Sequence, residues 1–161
     1  MKIERVCALY FSATGTTEKL VCCIARELAR ALQAREEEYD FTLPGARQAV
    51  QAYGAGDLVL AAVPVYAGRV PNVLRPYLEK NICGSGALAI PLVVYGNRNF
   101  DDALIELREL IVAGALLPIA AGAFIGEHSF STTLAAGRPD AADFEIAAQF
   151  AAGICALRKQ P

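Results

Sequence analysis

The sequence predicts an α/β protein in which a parallel sheet carries helices on both faces. Short, continuous apolar runs alternate along the chain with longer segments of helical periodicity. Each run has the length of a strand that is buried on both faces, which is typical of parallel sheets. The chain has 161 residues, of which 55% are hydrophobic and 20% charged, so we expect one folded domain, 1–161, and not a disordered chain. Right-handed crossovers between alternating strands and helices then make the sheet parallel.

The first half of the chain supplies three of five predicted strands. Val6–Phe11 is a continuous apolar run that ends at Ser12, and Asp57–Val63, which is apolar after its first residue, is a second buried strand. Glu36–Leu43 alternates in polarity, which predicts a more exposed edge strand. A short helix is expected over Ala46–Tyr53, where two glycines follow. One helix face recurs every four residues after the first strand, at Leu20, Ile24, Leu28 and Leu32.

The third buried run is Ala87–Tyr95. Before it, a loop over Val65–Asn72 leads into a short helix that reaches Glu79, and a proline fits best in the first turn of that helix. Pro91 is awkward inside a central strand because it lacks an N–H, so we expect a bulge or a local break there.

The last part of the chain predicts a fifth strand between two helices. Leu116–Ile125 is the strand, and Glu127–Pro139 is a loop rich in Gly, Ser and Thr. The helix before the strand has its apolar face at Ala103, Leu104, Leu107, Leu110 and Ile111. The closing helix has its apolar face at Phe144, Ala147, Ala148, Ala151, Ile154 and Cys155.

Composition excludes several classes of function. The formal charge is −2 and no Lys/Arg cluster is present, so the sequence lacks the basic patch that nucleic-acid binding requires. Five cysteines lie in apolar runs without zinc-ligand spacing and the single histidine has no ligand partner nearby, so we expect no metal and a reducing compartment. No uninterrupted apolar segment reaches about 18 residues and no secretory signal is present, which predicts a cytoplasmic protein without a membrane span.

Three loops that follow buried strands carry the candidate chemistry, because ligands of open α/β sheets bind beyond the carboxyl ends of the strands. The first loop places four hydroxyls and a glycine at a helix N-terminus, where N–H groups and the helix dipole favour an anion. No lysine stands in the Walker position, so a phosphate held without a cation is expected rather than a nucleoside triphosphate with magnesium. This loop consists of Ser12, Ala13, Thr14, Gly15, Thr16 and Thr17.

The other two loops combine aromatic residues with glycine. Together they place Tyr66 and Phe100 at neighbouring strand ends, where two rings could hold a flat heteroaromatic ligand by stacking. The second loop runs over Pro64–Pro71, and its candidate binding residues are Pro64, Val65, Tyr66, Ala67, Gly68 and Arg69. The third loop consists of Tyr95, Gly96, Asn97, Arg98, Asn99 and Phe100.

These motifs resemble the flavodoxin family over essentially the full chain. The similarity rests on Ser12-x-Thr14-Gly15-x-Thr17 directly after Leu9-Tyr10-Phe11, on the two later loops and on the order of strands and helices. The resemblance implies a three-layer, five-stranded parallel sheet of order 2-1-3-4-5 and FMN as the cofactor. It implies that Ser12–Thr17 holds the FMN phosphate, that Tyr66 and Phe100 flank the flavin, and that the backbone of Gly96–Asn99 meets the pyrimidine edge. The segments PVYAGRVPN and YGNRNFDDAL further resemble a subfamily that is sometimes fused to ferredoxin domains.

The resemblance implies an electron carrier that passes single electrons between redox partner proteins, as a monomer or weak homodimer and without a catalytic residue of its own. The near-neutral charge and the absence of Trp depart from many flavodoxin carriers. The first alternative is an FMN-dependent reductase of the NAD(P)H/quinone type. The second is a non-redox domain that binds another phosphate ligand or a partner on the same fold.

The sequence leaves the roles of four further residues undecided. Gly68 could offer a carbonyl to a protonated flavin nitrogen, because glycine tolerates positive φ. Arg69 either points inward, where its charge stabilises reduced flavin, or lies on the surface. Arg98 either covers the flavin edge or pairs with one of the following aspartates. The resemblance places His128 near the flavin side of the sheet, where it either supplies a proton to the reduced ring or is a surface residue.

Overall fold

The computed structural model describes residues 2–157 and has the predicted α/β architecture. The predicted domain spans residues 1–161, and its ends, residue 1 and residues 158–161, lie outside the described residues. The strands are β1 (Arg5–Tyr10), β2 (Arg35–Asp40), β3 (Gln51–Gly54), β4 (Asp57–Pro64), β5 (Ile82–Ser85), β6 (Leu88–Tyr95), β7 (Leu117–Pro118) and β8 (Gly122–Ile125). The helices are α1 (Thr16–Leu32), α2 (Arg75–Asn81), α3 (Ala103–Ala113) and α4 (Ala141–Leu157), with a 3-10 helix over Pro44–Gln48.

The main sheet is parallel and has the order β2-β1-β4-β6, with β7 and β8 both paired to the far side of β6. This is the expected spatial order, in which the strand after β6 closes the sheet. The number of strands differs from five because the predicted strand Leu116–Ile125 is split into β7 and β8. The edge position predicted for β2 is confirmed.

Pro91 explains where the closing strand is interrupted. It lies within a continuous β6 and pairs in register with Ala61 of β4. The carbonyls of Ala87 and Ala89 accept hydrogen bonds on the β7 side, and backbone groups of every second residue of a strand face the same neighbour. The missing N–H of Pro91 therefore faces the gap between β7 and β8, where no ladder bond requires it. The expected break is in the neighbouring strand and not in β6.

The sheet separates two cores because successive side chains of a strand point to opposite faces. Val6, Ala8 and Tyr10 of β1 pack in the core that includes α1 and α4. Cys7 and Leu9 pack in the core that includes α2 and α3. This alternation, repeated in β4 and β6, produces the three layers.

The helix predicted over Ala46–Tyr53 is wrong. The segment contains the end of a 3-10 helix and then β3, which pairs with β5 in a separate two-stranded parallel sheet. Tyr53 is buried in the second core with its hydroxyl 3.7 Å from the Sγ atom of Cys7. A tertiary strand partner and this burial override the local helical pattern. Pro76, by contrast, lies in the first turn of α2 as predicted.

Candidate functional site

A cavity of about 810 Å³ lies beyond the carboxyl ends of β1, β4 and β6. Its size is within the range of small-molecule and cofactor sites. Four loops form its walls. The lining residues are Ala13, Thr14, Thr16, Thr17, Pro64, Val65, Tyr66, Ala67, Gly68, Val94, Tyr95, Gly96, Arg98, Asn99, Asp101, Glu127, His128, Ser129 and Phe130.

The first wall is the loop that connects β1 to α1. Gly15 has φ of 81° and begins the helix from the left-handed region, a conformation that favours glycine. Within residues 2–157, the backbone N–H groups of residues 13–17 have no protein acceptor. They lie at the positive end of a helix of 17 residues, so this turn offers several free donors to an anion.

Ser12 supports this loop from outside the cavity. Its Oγ atom accepts the N–H of Glu18 at 3.0 Å, and its own N–H donates to the Oγ1 atom of Thr42 at 2.8 Å. The hydroxyl predicted to bind the ligand is thus used as a helix cap. The hydroxyl-bearing residues that line the cavity in this loop are Thr14, Thr16 and Thr17.

Gly126, at the end of β8, allows the start of α1 to lie close to the sheet. A Cβ atom at Gly126 would lie 2.3 Å from Cγ2 of Thr16 and 2.8 Å from Cγ1 of Val94. A larger residue would therefore displace the donor-bearing turn.

The second wall is a tight turn over Tyr66–Arg69. The N–H of Tyr66 donates to the carbonyl of Arg69 at 3.0 Å and the reverse bond is 3.1 Å long. Ala67 and Gly68 both have positive φ, as in type I′ turns. The Gly68 carbonyl, expected to face a ligand nitrogen, accepts the N–H of Asp102 at 3.1 Å and so joins this wall to the next one.

Arg69 does not line this cavity, which corrects its place among the predicted ligand-binding residues. Its guanidinium makes a bidentate contact with Glu106 of α3, with bonds of 3.0 and 3.1 Å. The same buried carboxylate accepts the N–H of Val70 at 2.9 Å and a guanidinium N–H of Arg75 at 2.7 Å. The Arg69 contact lowers the pKa of Glu106 below its ordinary value, and burial only partly opposes this shift. The cluster fixes the second wall to α3.

The third wall follows β6 and differs from expectation at Phe100. Phe100 does not line the cavity but packs edge-on against Tyr95, with ring centroids 5.3 Å apart. The aromatic side chains that line the cavity are Tyr66, Tyr95 and Phe130, so the expected Tyr66–Phe100 pair is corrected. Arg98 lines the cavity and forms no ion pair within the described part of the chain.

The fourth wall is the loop between β8 and α4. Its two ends are joined by a 2.9 Å bond from the N–H of Glu127 to the carbonyl of Arg138. The Arg138 guanidinium in turn binds the buried carboxylate of Asp143 in the first turn of α4, and this contact lowers the pKa of Asp143 below its ordinary value. The loop therefore has a fixed base, from which His128 and the fully exposed Phe130 reach the cavity.

The structure brings most of the predicted site together. Thirteen of the eighteen predicted residues line the cavity, and the ones that do not are Ser12, Gly15, Arg69, Asn97 and Phe100.

 One of the lining residues, Gly96, lies where the third wall touches the fourth, and a Cβ atom there would lie 2.6 Å from Cδ2 of His128.

Sequence reasoning missed other lining residues, chiefly Asp101 and Phe130. The only signal for Phe130 is a large aromatic residue within a polar loop that follows a strand of the sheet. Its position at the cavity depends on the fold of the fourth wall, which the sequence pattern does not encode. Among residues 2–157, no cluster of side chains could hold a metal ion, and no helix is long and apolar enough to cross a membrane.

Comparison with known proteins gives no match to a protein-family model and none to a curated protein sequence. Solved structures do match. The chain is similar to a flavodoxin from the domain Archaea, with 10% identity, a TM-score of 0.65, and coverage of 97% of this chain and 99% of that chain. It is also similar to a flavodoxin of Streptococcus pneumoniae TIGR4, with 16% identity, a TM-score of 0.63, and coverage of 95% and 99%.

A third solved structure is described as the apo form of an NADH:FMN oxidoreductase, EMOB. It shares 17% identity and a TM-score of 0.59, with coverage of 98% of this chain and 92% of that chain. At these identities the similarity concerns the arrangement of the backbone. The strand order, the two helical layers and the near-complete coverage agree, so this chain has a flavodoxin-like fold.

Proposed function

We propose that this protein binds FMN in the cavity and transfers electrons between redox partner proteins. The observation that carries the proposal is the turn of free N–H groups over residues 13–17, at the start of α1 and at one side of a cofactor-sized cavity. When bound, FMN supplies the redox chemistry, because its ring accepts and returns electrons.

The residues of the first wall fit the phosphate of FMN. The donors are backbone N–H groups and the hydroxyls of Thr14, Thr16 and Thr17, with no carboxylate in the loop itself. A phosphate dianion at a helix N-terminus gains from both the free donors and the helix dipole. These uncharged groups bind and orient the phosphate without a lysine.

The remaining walls fit a flat heteroaromatic ring. Tyr66 and Tyr95 come from adjacent strands of the sheet, and Phe130 comes from the fourth wall. Aromatic side chains stack on such a ring and exclude water from it. The cavity lining includes one guanidinium, Arg98, and two carboxylates, Asp101 and Glu127, so the cavity has no strong excess of either sign.

Titration of the untagged protein with FMN, followed by quenching of flavin fluorescence, tests the proposal. We expect binding in the micromolar range or tighter, and at least tenfold weaker binding of riboflavin, which has no phosphate. A matched pair of variants tests the loop. Thr14→Val removes a cavity hydroxyl and should weaken binding about threefold to tenfold, the range of one hydrogen bond. Thr132→Val removes an exposed hydroxyl that does not line the cavity and should have no effect.

Equal affinity for FMN and riboflavin, or no quenching with either, contradicts the proposal. Electron transfer is tested by mixing the reduced, FMN-loaded protein with oxidised cytochrome c, which a carrier should reduce on mixing.

The alternative is an FMN-dependent reductase. The fourth wall favours it, because a reductase encloses the cofactor in a pocket that also admits a small substrate. A chain similar to this one is described as an NADH:FMN oxidoreductase. Steady consumption of NADH or NADPH by the loaded protein, with a quinone and without an added reductase, would support the reductase over the carrier.

A further inference from the structure

We propose that His128 is a ligand-binding residue of this cavity, which donates a hydrogen bond from Nε2 to an acceptor atom of bound FMN. The inference rests on the proposed function and adds a side chain from a loop that lies outside the three strand-end motifs. His128 is the only histidine of the chain, so every histidine signal in a spectrum of the untagged protein belongs to it.

The fold of the fourth wall fixes the position of His128. Its N–H donates to the carbonyl of Leu134 at 3.3 Å, and its carbonyl accepts the N–H of Ser131 at 3.4 Å. These bonds, together with the joined ends of the loop, hold the residue at the cavity. On the other side the ring packs against Gly96, where a Cβ atom would lie only 2.6 Å from Cδ2 and 2.9 Å from Cγ. Only glycine at position 96 lets the ring come this close.

The hydrogen bonds of the ring determine which nitrogen is available. Nδ1 of His128 accepts the backbone N–H of Phe130 at 3.1 Å. An accepting Nδ1 carries no proton, so the proton of the neutral ring is on Nε2. Nε2 has no hydrogen-bond partner within residues 2–157, although the residue lines the cavity. The ring therefore offers one N–H donor to a ligand.

The charged and titratable groups around the ring do not pair with it. The titratable and charged residues that line the same cavity are Tyr66 of the second wall, Tyr95 and Arg98 of the third wall, Asp101 beyond it, and Glu127 beside His128 itself. None of them forms an ion pair with His128 among the described residues. Donation from Nε2 also persists when the ring is protonated, because both nitrogens then carry a proton.

Two substitutions separate the roles of the two ring nitrogens. His128→Gln places an amide N–H near the position of Nε2 and removes the acceptor at Nδ1. His128→Asn keeps an acceptor near Nδ1, for the N–H of Phe130, and removes the donor at Nε2. We expect His128→Asn to weaken FMN binding about threefold to tenfold, the range of one hydrogen bond, and His128→Gln to bind within about twofold of the wild type. The opposite order, with Asn tight and Gln weak, would show that only the loop-forming bond at Nδ1 matters.

Nitrogen-15 NMR of the wild-type protein gives a second test that needs no variant. The neutral ring should show a protonated Nε2 and a bare Nδ1 before FMN is added, and FMN should shift the Nε2 resonance. Thermal unfolding of each variant confirms that it is folded. If FMN binds the wild type while both variants bind equally well and the Nε2 resonance does not move, the role of His128 is wrong and the proposed function stands. If the wild type does not bind FMN, both are wrong.

Discussion

Glu106→Ala is the substitution that most directly tests how the cavity is held to the rest of the fold. The carboxylate of Glu106 lies 7% exposed on α3 and accepts hydrogen bonds from Arg69, Arg75 and the N–H of Val70. Removing it leaves the buried Val70 N–H without an acceptor and releases both guanidiniums. The Tyr66–Arg69 turn then keeps its backbone bond to Asp102 at the start of α3 but loses its side-chain attachment to that helix.

The expected cost follows from these contacts. A buried N–H group left without an acceptor costs about 1–3 kcal/mol. The contact with the partly exposed Arg75 adds at most about 1 kcal/mol, because solvent screens such pairs. The free energy of unfolding should therefore fall by about 1–4 kcal/mol, which lowers the melting temperature by roughly 2–16 °C in a protein of this size.

Thermal unfolding followed by circular dichroism measures this change, with urea denaturation to give the free energy. Glu109→Ala is the matched control, because Glu109 lies on the exposed face of the same helix and forms no ion pair within the described chain. It should change the free energy of unfolding by less than about 0.5 kcal/mol. Equal melting temperatures for the two variants would refute the role assigned to Glu106.

Two further predictions concern packing and pH. Gly126→Ala should destabilise the protein by about 1–3 kcal/mol, because its Cβ atom would meet Thr16 at 2.3 Å. At Gly153 in α4 a Cβ atom would have no neighbour within 4 Å, so Gly153→Ala should stabilise the protein by up to about 1 kcal/mol. Urea denaturation of both variants measures these changes, and a loss of the same size in both would contradict the packing argument. Because Arg69 lowers the pKa of Glu106 in the folded protein, this carboxylate stabilises the fold above the pKa of the unfolded chain, and the stabilisation is lost as the pH falls through the lower folded-state pKa. The wild type should thus lose stability below about pH 4 more steeply than Glu106→Ala, and parallel curves of stability against pH would show that Glu106 does not contribute.

Much of the fold could be predicted from the sequence because parallel strands are buried on both faces. Val6–Phe11, Asp57–Val63 and Ala87–Tyr95 are almost entirely apolar, and all three lie at the centre of the sheet as β1, β4 and β6. The pattern failed at Ala46–Tyr53 and at the closing strand, where the outcome depends on long-range partners. There β3 requires β5, and the gap between β7 and β8 faces Pro91.

The candidate site, like the fold, could be predicted only in part from the sequence. The position of the first wall could be predicted, because hydroxyls and a glycine directly after a buried strand mark a helix N-terminus at the carboxyl end of the sheet. The direction of individual side chains could not. Ser12 caps α1 and Phe100 packs on Tyr95, both within a few residues along the chain, whereas Arg69 turns to Glu106 on α3. Each side chain has a protein partner that its residue type alone does not predict.

The sequence by itself determined the α/β class, the three central strands and the loop that offers donors to an anion, since each of these follows from local periodicity and residue type. Only the tertiary structure decided which side chains line the cavity. A loop more than a hundred residues from the first wall supplies His128 and Phe130, and their place depends on the joined base of that loop and on the absence of a side chain at Gly96. Such contacts form only when the chain is folded, so no local pattern in the sequence records them.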